Sequence, residues 1–144
     1  MCQDSIFRLP AEWEPHQSTY IAWPNLSEEV TARHILISWI FAEVIRVVSK
    51  FEPVRVICHQ QSLTEILPEL FQSLGFSLDN IELMVAHHTY CWLRDGGPSA
   101  VLDGEGKIKW MLWAREDLSP EETGHTANLP RKVADSSAHD LLSA

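Results

Sequence analysis

The chain has 144 residues, 45% of them hydrophobic and 22% charged, with 6 Gly and 8 Pro. That is about one domain of ordinary globular sequence, which excludes a collagen-like, coiled-coil or wholly disordered chain. Twenty acidic against eleven basic residues give a formal net charge of -9, which argues against nucleic acid as a partner and suits a cationic small molecule.

The first residues, Met1 to Arg8, lack the basic and apolar regions of a secretory signal, and residues 1–6 are expected to be flexible. A Pro- and Trp-rich segment follows, and Ser18 to Trp23 is a strand candidate ending at Pro24. Asn25 or Ser27 is placed to cap a helix, with Glu28 and Glu29 in its first turn. From Val30 to Lys50 the apolar residues Ile35, Trp39, Ala42, Ile45 and Val48 recur at helical spacing, and Pro53 closes the run. Ser38, Glu43 and Arg46 make this stretch too polar, and its length too short, to span a bilayer, so no membrane partner is expected.

Val54 to Cys58 is a short β-branched run and predicts a strand. Ser62 to Leu74 returns to helical spacing and ends at Gly75, with Pro68 predicting a break into two pieces. Ile81 to Ala86 predicts a third strand. Ser99 to Leu102 and Lys107 to Trp113 flank Asp103-Gly-Glu-Gly106, a hairpin signal. Residues 115–127 read as a polar loop, and Leu129 to Leu142 as a final helix with Pro130 in its first turn. Alternating strands and helices give an α/β fold, and the closing hairpin argues against an all-parallel sheet. Trp13, Trp23 and Trp39 read as core.

Cys2, Cys58 and Cys91 form no C-x-x-C pair, which fits free thiols and a cytoplasmic location. His87, His88 and Cys91 have a spacing that zinc ligands use, yet adjacent histidines on a strand point to opposite faces, so no metal is expected. Cys91 reads as a small buried thiol at a strand end rather than a nucleophile.

The unusual chemistry lies in Trp92-Leu-Arg-Asp-Gly-Gly-Pro98. A carboxylate accepts the paired N–H donors of a guanidinium, and a tryptophan face holds the same cation from the side. A structural Arg94–Asp95 ion pair with Trp92 in the core is the alternative on residue types alone.

Four motifs occur in order: Arg8-Leu-Pro-Ala-Glu-Trp-Glu-Pro-His16, Ile21-Ala-Trp-Pro24, Phe51-Glu-Pro-Val54 and Trp92 to Pro98. Their succession resembles the N-terminal portion of the agmatine deiminase family and its bacterial, Porphyromonas-type peptidylarginine deiminase relatives. Asn128-Leu-Pro-Arg-Lys-Val133 extends the resemblance toward the end of the chain. The resemblance implies a partial pentein-type fold, an α/β propeller of ββαβ units about a pseudo-fivefold axis, truncated, with residues 1–144 as the first part of one domain.

It also implies a hydrolase of putrescine and polyamine biosynthesis, converting agmatine and water into N-carbamoylputrescine and ammonia without a cofactor. By the same resemblance Asp95 grips the guanidinium as a catalytic and substrate-binding carboxylate, and Trp92 walls the pocket. Arg94 supports the loop, while Gly96, Gly97 and Pro98 shape the turn. His16 is expected to pack the opening loop. Tyr90 stands where members of the family usually carry an acid. The family's catalytic histidine lies in a His-x-Asp segment and its cysteine in a late Gly-rich segment, and neither pattern occurs in these 144 residues. The chain alone is therefore expected to be inactive. A peptidylarginine substrate stays open, as does a non-catalytic relic or interaction module. A part of such a fan exposes strand edges and apolar faces, so self-association, up to a homo-oligomer, is expected.

Overall fold

The computed structural model describes residues 7–25, 32–88, 91–112, 129–137 and, for the backbone alone, 140–143. The expected flexible start, the Ser27 cap with Glu28 and Glu29, Tyr90 and the polar loop at 115–127 lie outside the described residues. Two compact units divide the chain, one from His16 to Leu93 and the other combining Met1–Pro15 with Arg94–Ala144.

The first unit runs β1 (Thr19–Ala22), α1 (Ala32–Val48), β2 (Val54–Cys58), α2 (Leu63–Ser73) and β3 (Ile81–Val85). Its three strands are parallel in the order β1-β2-β3, with Thr19 opposite Val54 and Val54 opposite Ile81. Alternation along β2 sends Val54, Val56 and Cys58 to one face, where they join Ala42 and Ile45 of α1 and Leu67 and Phe71 of α2. Trp23 and Phe76 complete that core: the Phe71 ring meets Trp23 edge-on at 5.9 Å and stacks on Phe76 at 5.2 Å. On the opposite face Tyr20, Arg55 and Glu82 lie in register across the sheet. The Arg55 guanidinium donates to the Tyr20 hydroxyl at 2.7 Å and pairs with Glu82 at 2.9 Å.

Pro68 does not break α2, contrary to the expectation. The lost backbone hydrogen bond is outweighed by burial of Leu67 and Phe71, one helical turn apart, which anchor the segment on both sides of the proline. The helix closes as a Schellman motif. Gly75 takes φ 76, its N–H reaches the Gln72 carbonyl at 2.9 Å, and the Phe76 N–H reaches the Phe71 carbonyl at 2.9 Å. A left-handed residue is required there, and glycine adopts it without a Cβ penalty.

The second unit contains α3 (Leu93–Gly96, beginning one residue before the division), β4 (Ser99–Leu102), β5 (Ile108–Leu112), α4 (Leu129–Ser136) and β6 (Asp140–Ser143). β4 and β5 form the antiparallel hairpin that the sequence predicts, and Asp103 accepts the backbone N–H groups of Glu105 and Lys107, each at 2.9 Å, to close its turn. The single long helix expected over Leu129 to Leu142 is corrected to a shorter helix and a strand, β6, parallel to β5. The Ser136 and Ser137 hydroxyls bond back to the Val133 and Ala134 carbonyls, at 2.7 and 2.8 Å, where the helix stops. The strand order is β4-β5-β6, and the N-terminal segment joins this unit through reciprocal backbone bonds between Arg8 and Leu102.

Of the three tryptophans expected in the core, only Trp23 is there. Trp13 is 88% exposed in a turn, and Trp39 is half exposed because α1 buries Ala42 and Ile45 and turns Trp39 away from them. Among the described residues no helix is long and apolar enough to cross a membrane.

Candidate functional site

Three of the four sequence motifs are engaged in holding the chain together. In the first, the Arg8 guanidinium grips Glu14 through two bonds of 2.5 and 2.9 Å, and Glu14 also accepts the Ala11 N–H at 2.7 Å. Those partners hold the Glu14 carboxyl down at about 2, the Arg8 hydrogen bond contributing most. His16, at the end of the same motif, pairs with Glu52 of Phe51-Glu-Pro-Val54 at 3.2 Å, and the Thr19 hydroxyl donates to the same carboxylate.

The Ala-Trp-Pro motif buries Trp23 and continues the sheet, its N–H donating to the Ile57 carbonyl at 2.8 Å. His88, fully buried just beyond β3, lies with its two ring nitrogens 2.9 Å from the carbonyls of Ala86 and Trp23. Both partners are acceptors, so a ring nitrogen that carries a proton donates to the carbonyl it faces. Asn25 donates to the His88 carbonyl at 3.2 Å, tying the ends of β1 and β3 together.

The fourth motif differs. Trp92 is 68% exposed, so it is not a core residue. It follows the carboxyl end of β3, the end of a parallel sheet where α/β proteins place ligands. The next residues form the single turn α3, and the division between the two units falls between Leu93 and Arg94. Within the second unit Arg94 pairs with Glu12 at 2.6 Å, linking the fourth motif to the first. Both side chains are mostly exposed, which makes this a weak tether. Asp95 is exposed, Gly96 is buried, and Gly97 and Pro98 are half-buried on the way into β4. Trp92 belongs to the first unit and Asp95 to the second, and an indole and a carboxylate are each a group that binds a planar cation.

Among the described residues, the two thiols, Cys58 and Cys91, are poorly suited to attack. Burial pushes Cys58 up to about 11, and burial also raises the half-buried Cys91 above the usual thiol range. Sequence reasoning did not anticipate the histidine cluster at the strand ends. The His59 ring meets His88 edge-on at 5.8 Å, and the exposed His87 approaches the His59 carbonyl at 3.3 Å. His59 Nδ1 is buried with no hydrogen-bond partner. Burial, then the neighbouring His88 and His87, lower the His59 pKa below its ordinary value. The roles of Glu12 and Glu52 were equally illegible, since a motif does not say which of its carboxylates pairs with what.

The family model for Porphyromonas-type peptidyl-arginine deiminase matches residues 8–143. A Streptomyces coelicolor protein provisionally named an agmatine deiminase is 35% identical over 96% of this chain and 40% of its own length. The agmatine deiminase of Pseudomonas aeruginosa is 30% identical over 74% of this chain and 27% of its own. Among solved structures, a provisionally assigned agmatine deiminase superposes with a TM-score of 0.80 at 23% identity, covering 96% of this chain and 38% of that one. Agmatine deiminase of Enterococcus faecalis gives a TM-score of 0.76 at 20% identity over the same shares. The chain thus spans about 40% or less of the length of these relatives.

Proposed function

The chain belongs to the Porphyromonas-type peptidyl-arginine deiminase family, and from that membership we propose that it supplies the guanidinium-gripping part of an agmatine deiminase. The exposure of Trp92 and Asp95, the aromatic and the carboxylate of the fourth motif, is the observation that carries this reading. Asp95 accepts the guanidinium N–H groups and fixes the orientation of the plane. Trp92 covers a face of the cation, and Arg94, held by Glu12, steadies the turn between them.

The chemistry is hydrolysis of a C–N bond. A thiolate adds to the guanidinium carbon, ammonia departs with a proton from a general acid, and water then displaces the thiolate to give N-carbamoylputrescine. A carboxylate on the guanidinium nitrogens holds the electrophilic carbon in place for that attack. The family's His-x-Asp and Gly-rich cysteine segments do not occur in these residues, and Cys58 and Cys91 are held in the thiol form. These 144 residues therefore bind and orient but do not turn over. The ββαβ order of β4, β5, α4 and β6 supports the further reading that the two units are members of a pentein fan.

Charged hydrogen bonds of about 1.5–3 kcal/mol and an exposed cation–π contact of about 0.5–1 kcal/mol give a dissociation constant for agmatine of about 1 mM or weaker. NMR titration of the chain with agmatine is expected to move the Trp92 indole and Asp95 amide signals in that range. Asp95→Asn is expected to lose the response, and no ammonia is expected from either protein. Ammonia release by the purified chain, or agmatine shifts that survive Asp95→Asn, would overturn this assignment.

A further inference from the structure

His88 is a fully buried titratable side chain that the guanidinium site does not use. Its ring spans the end of β2, the middle strand of the first unit. On one side of that strand the Trp23 N–H donates to the Ile57 carbonyl at 2.8 Å, and on the other the Ala86 N–H donates to the Cys58 carbonyl at 3.0 Å. The ring bridges the carbonyls of those same two residues, one past β1 and one past β3. Nε2 lies 2.9 Å from the Trp23 oxygen and Nδ1 lies 2.9 Å from the Ala86 oxygen.

A carbonyl oxygen only accepts, so each contact needs a proton on the ring. The imidazolium carries two and satisfies both carbonyls. The neutral ring carries one, and its other nitrogen then sets a lone pair against an oxygen at hydrogen-bond distance. Full burial makes that mismatch costly. We infer that His88 is a proton-operated clamp: with both ring nitrogens protonated it ties the ends of β1 and β3 across β2, and on losing one proton it releases one of them.

The surroundings suit a single charge that comes and goes. Two titratable groups face the ring from the neighbouring strand ends, His59 past β2, edge-on at 5.8 Å, and His87 beside it past β3. His59 Nδ1 is buried without a hydrogen-bond partner, and burial, then the neighbouring His88 and His87, lower its pKa, so it takes up a proton less readily than a free imidazole. The end of β1 contributes Trp23 and Asn25, which do not titrate. The Asn25 amide donates to the His88 carbonyl at 3.2 Å whatever the charge on the ring, so release loosens the strand ends without parting them. The chain reaches Trp92 four residues after His88, within the same unit. The clamp therefore acts on the exit of β3 that leads to the aromatic group of the site, a consequence that rests on the role proposed for Trp92.

NMR of the full chain from pH 5 to 8.5, without agmatine, tests this. Ring 15N signals count the protons on His88, and the carbonyl 13C signals of Trp23 and Ala86 report its two bonds. As pH rises, the ring is expected to pass from two N–H groups to one, and one of the two carbonyl signals to move while the other holds. The Trp92 indole signal is expected to move with the same midpoint. His59→Asn is expected to leave these changes coupled. A His88 ring that keeps one protonation state throughout, carbonyl signals that ignore its titration, or a Trp92 signal that stays still or follows His59 or His87 would each overturn the inference. With no ligand present, these outcomes leave guanidinium binding untouched, and a chain that fails to bind agmatine leaves the clamp standing.

Discussion

Replacing Phe71 by alanine strikes the point where the elements of the first unit meet. The ring is fully buried, edge-on to Trp23, stacked on Phe76, and anchored on the helix turn that Pro68 weakens. Losing a buried phenylalanine costs about 3–5 kcal/mol, the removed transfer energy plus the cavity left behind. Each lost ring pair accounts for about 0.5–1.5 kcal/mol of that. Against a total of about 5–15 kcal/mol for a domain, the variant gives up about a fifth or more of its stability. Phe71→Leu keeps most of the volume and is expected to cost about 1–2 kcal/mol. Urea unfolding followed by tryptophan fluorescence reads both, and a urea slope of about 1–3 kcal/mol per molar puts the alanine midpoint about 2 M lower. An alanine variant less than 1 kcal/mol below the parent would refute this account of the core. So would a leucine variant that loses as much as alanine, since the cost would then not follow the cavity.

Stability is also expected to fall on acidification below about pH 6.5. Burial and the neighbouring His88 and His87 hold the folded His59 pKa below 6.5, so between that lowered value and 6.5 the unfolded chain binds the proton that the folded chain refuses. The contribution is full above pH 6.5 and declines as pH drops toward the folded value. His59→Asn is expected to flatten urea midpoints measured from pH 7.5 to 5.5, and an unchanged slope in the variant counts against the assignment. In a Cys2→Ser background, Cys58 is expected to resist iodoacetamide at pH 7.5 in the folded chain and Cys91 to react slower than a free thiol. Rapid alkylation of Cys91 that agmatine suppresses would instead mark it as a nucleophile.

Local chemistry made the regular elements legible. The β-branched run at Val54–Cys58, the Gly75 closure of α2 and the Asp103-Gly-Glu-Gly106 turn each depend on residues next to one another in sequence, and all three stand as predicted. The errors arose where a distant partner decides. Pro68 breaks an isolated helix, but the contacts that hold α2 across it come from Trp23 and Phe76. The last strand, β6, carries too short an apolar pattern to announce itself and exists through its pairing with β5. In α1 the apolar count was right and its division was not. A helix apolar nearly all round looks like a core helix from its sequence, and only the placement of Ala42 and Ile45 shows which residues are left outside.

The motifs pose the same problem at the site. Arg8, Glu14, His16, Trp23 and Trp92 carry the resemblance alike, and nothing in their spacing separates scaffold from chemistry. Burial and pairing do. A carboxylate already gripped by two guanidinium bonds and a backbone N–H, as Glu14 is, has little capacity left for a substrate guanidinium. An indole packed edge-on against Phe71, as Trp23 is, has its ring committed to the core. Trp92, 68% exposed, and Asp95, also exposed, follow β3 in the chain instead. The functional reading thus rests on a contrast within one set of motifs, which the folded structure supplies and the sequence pattern does not.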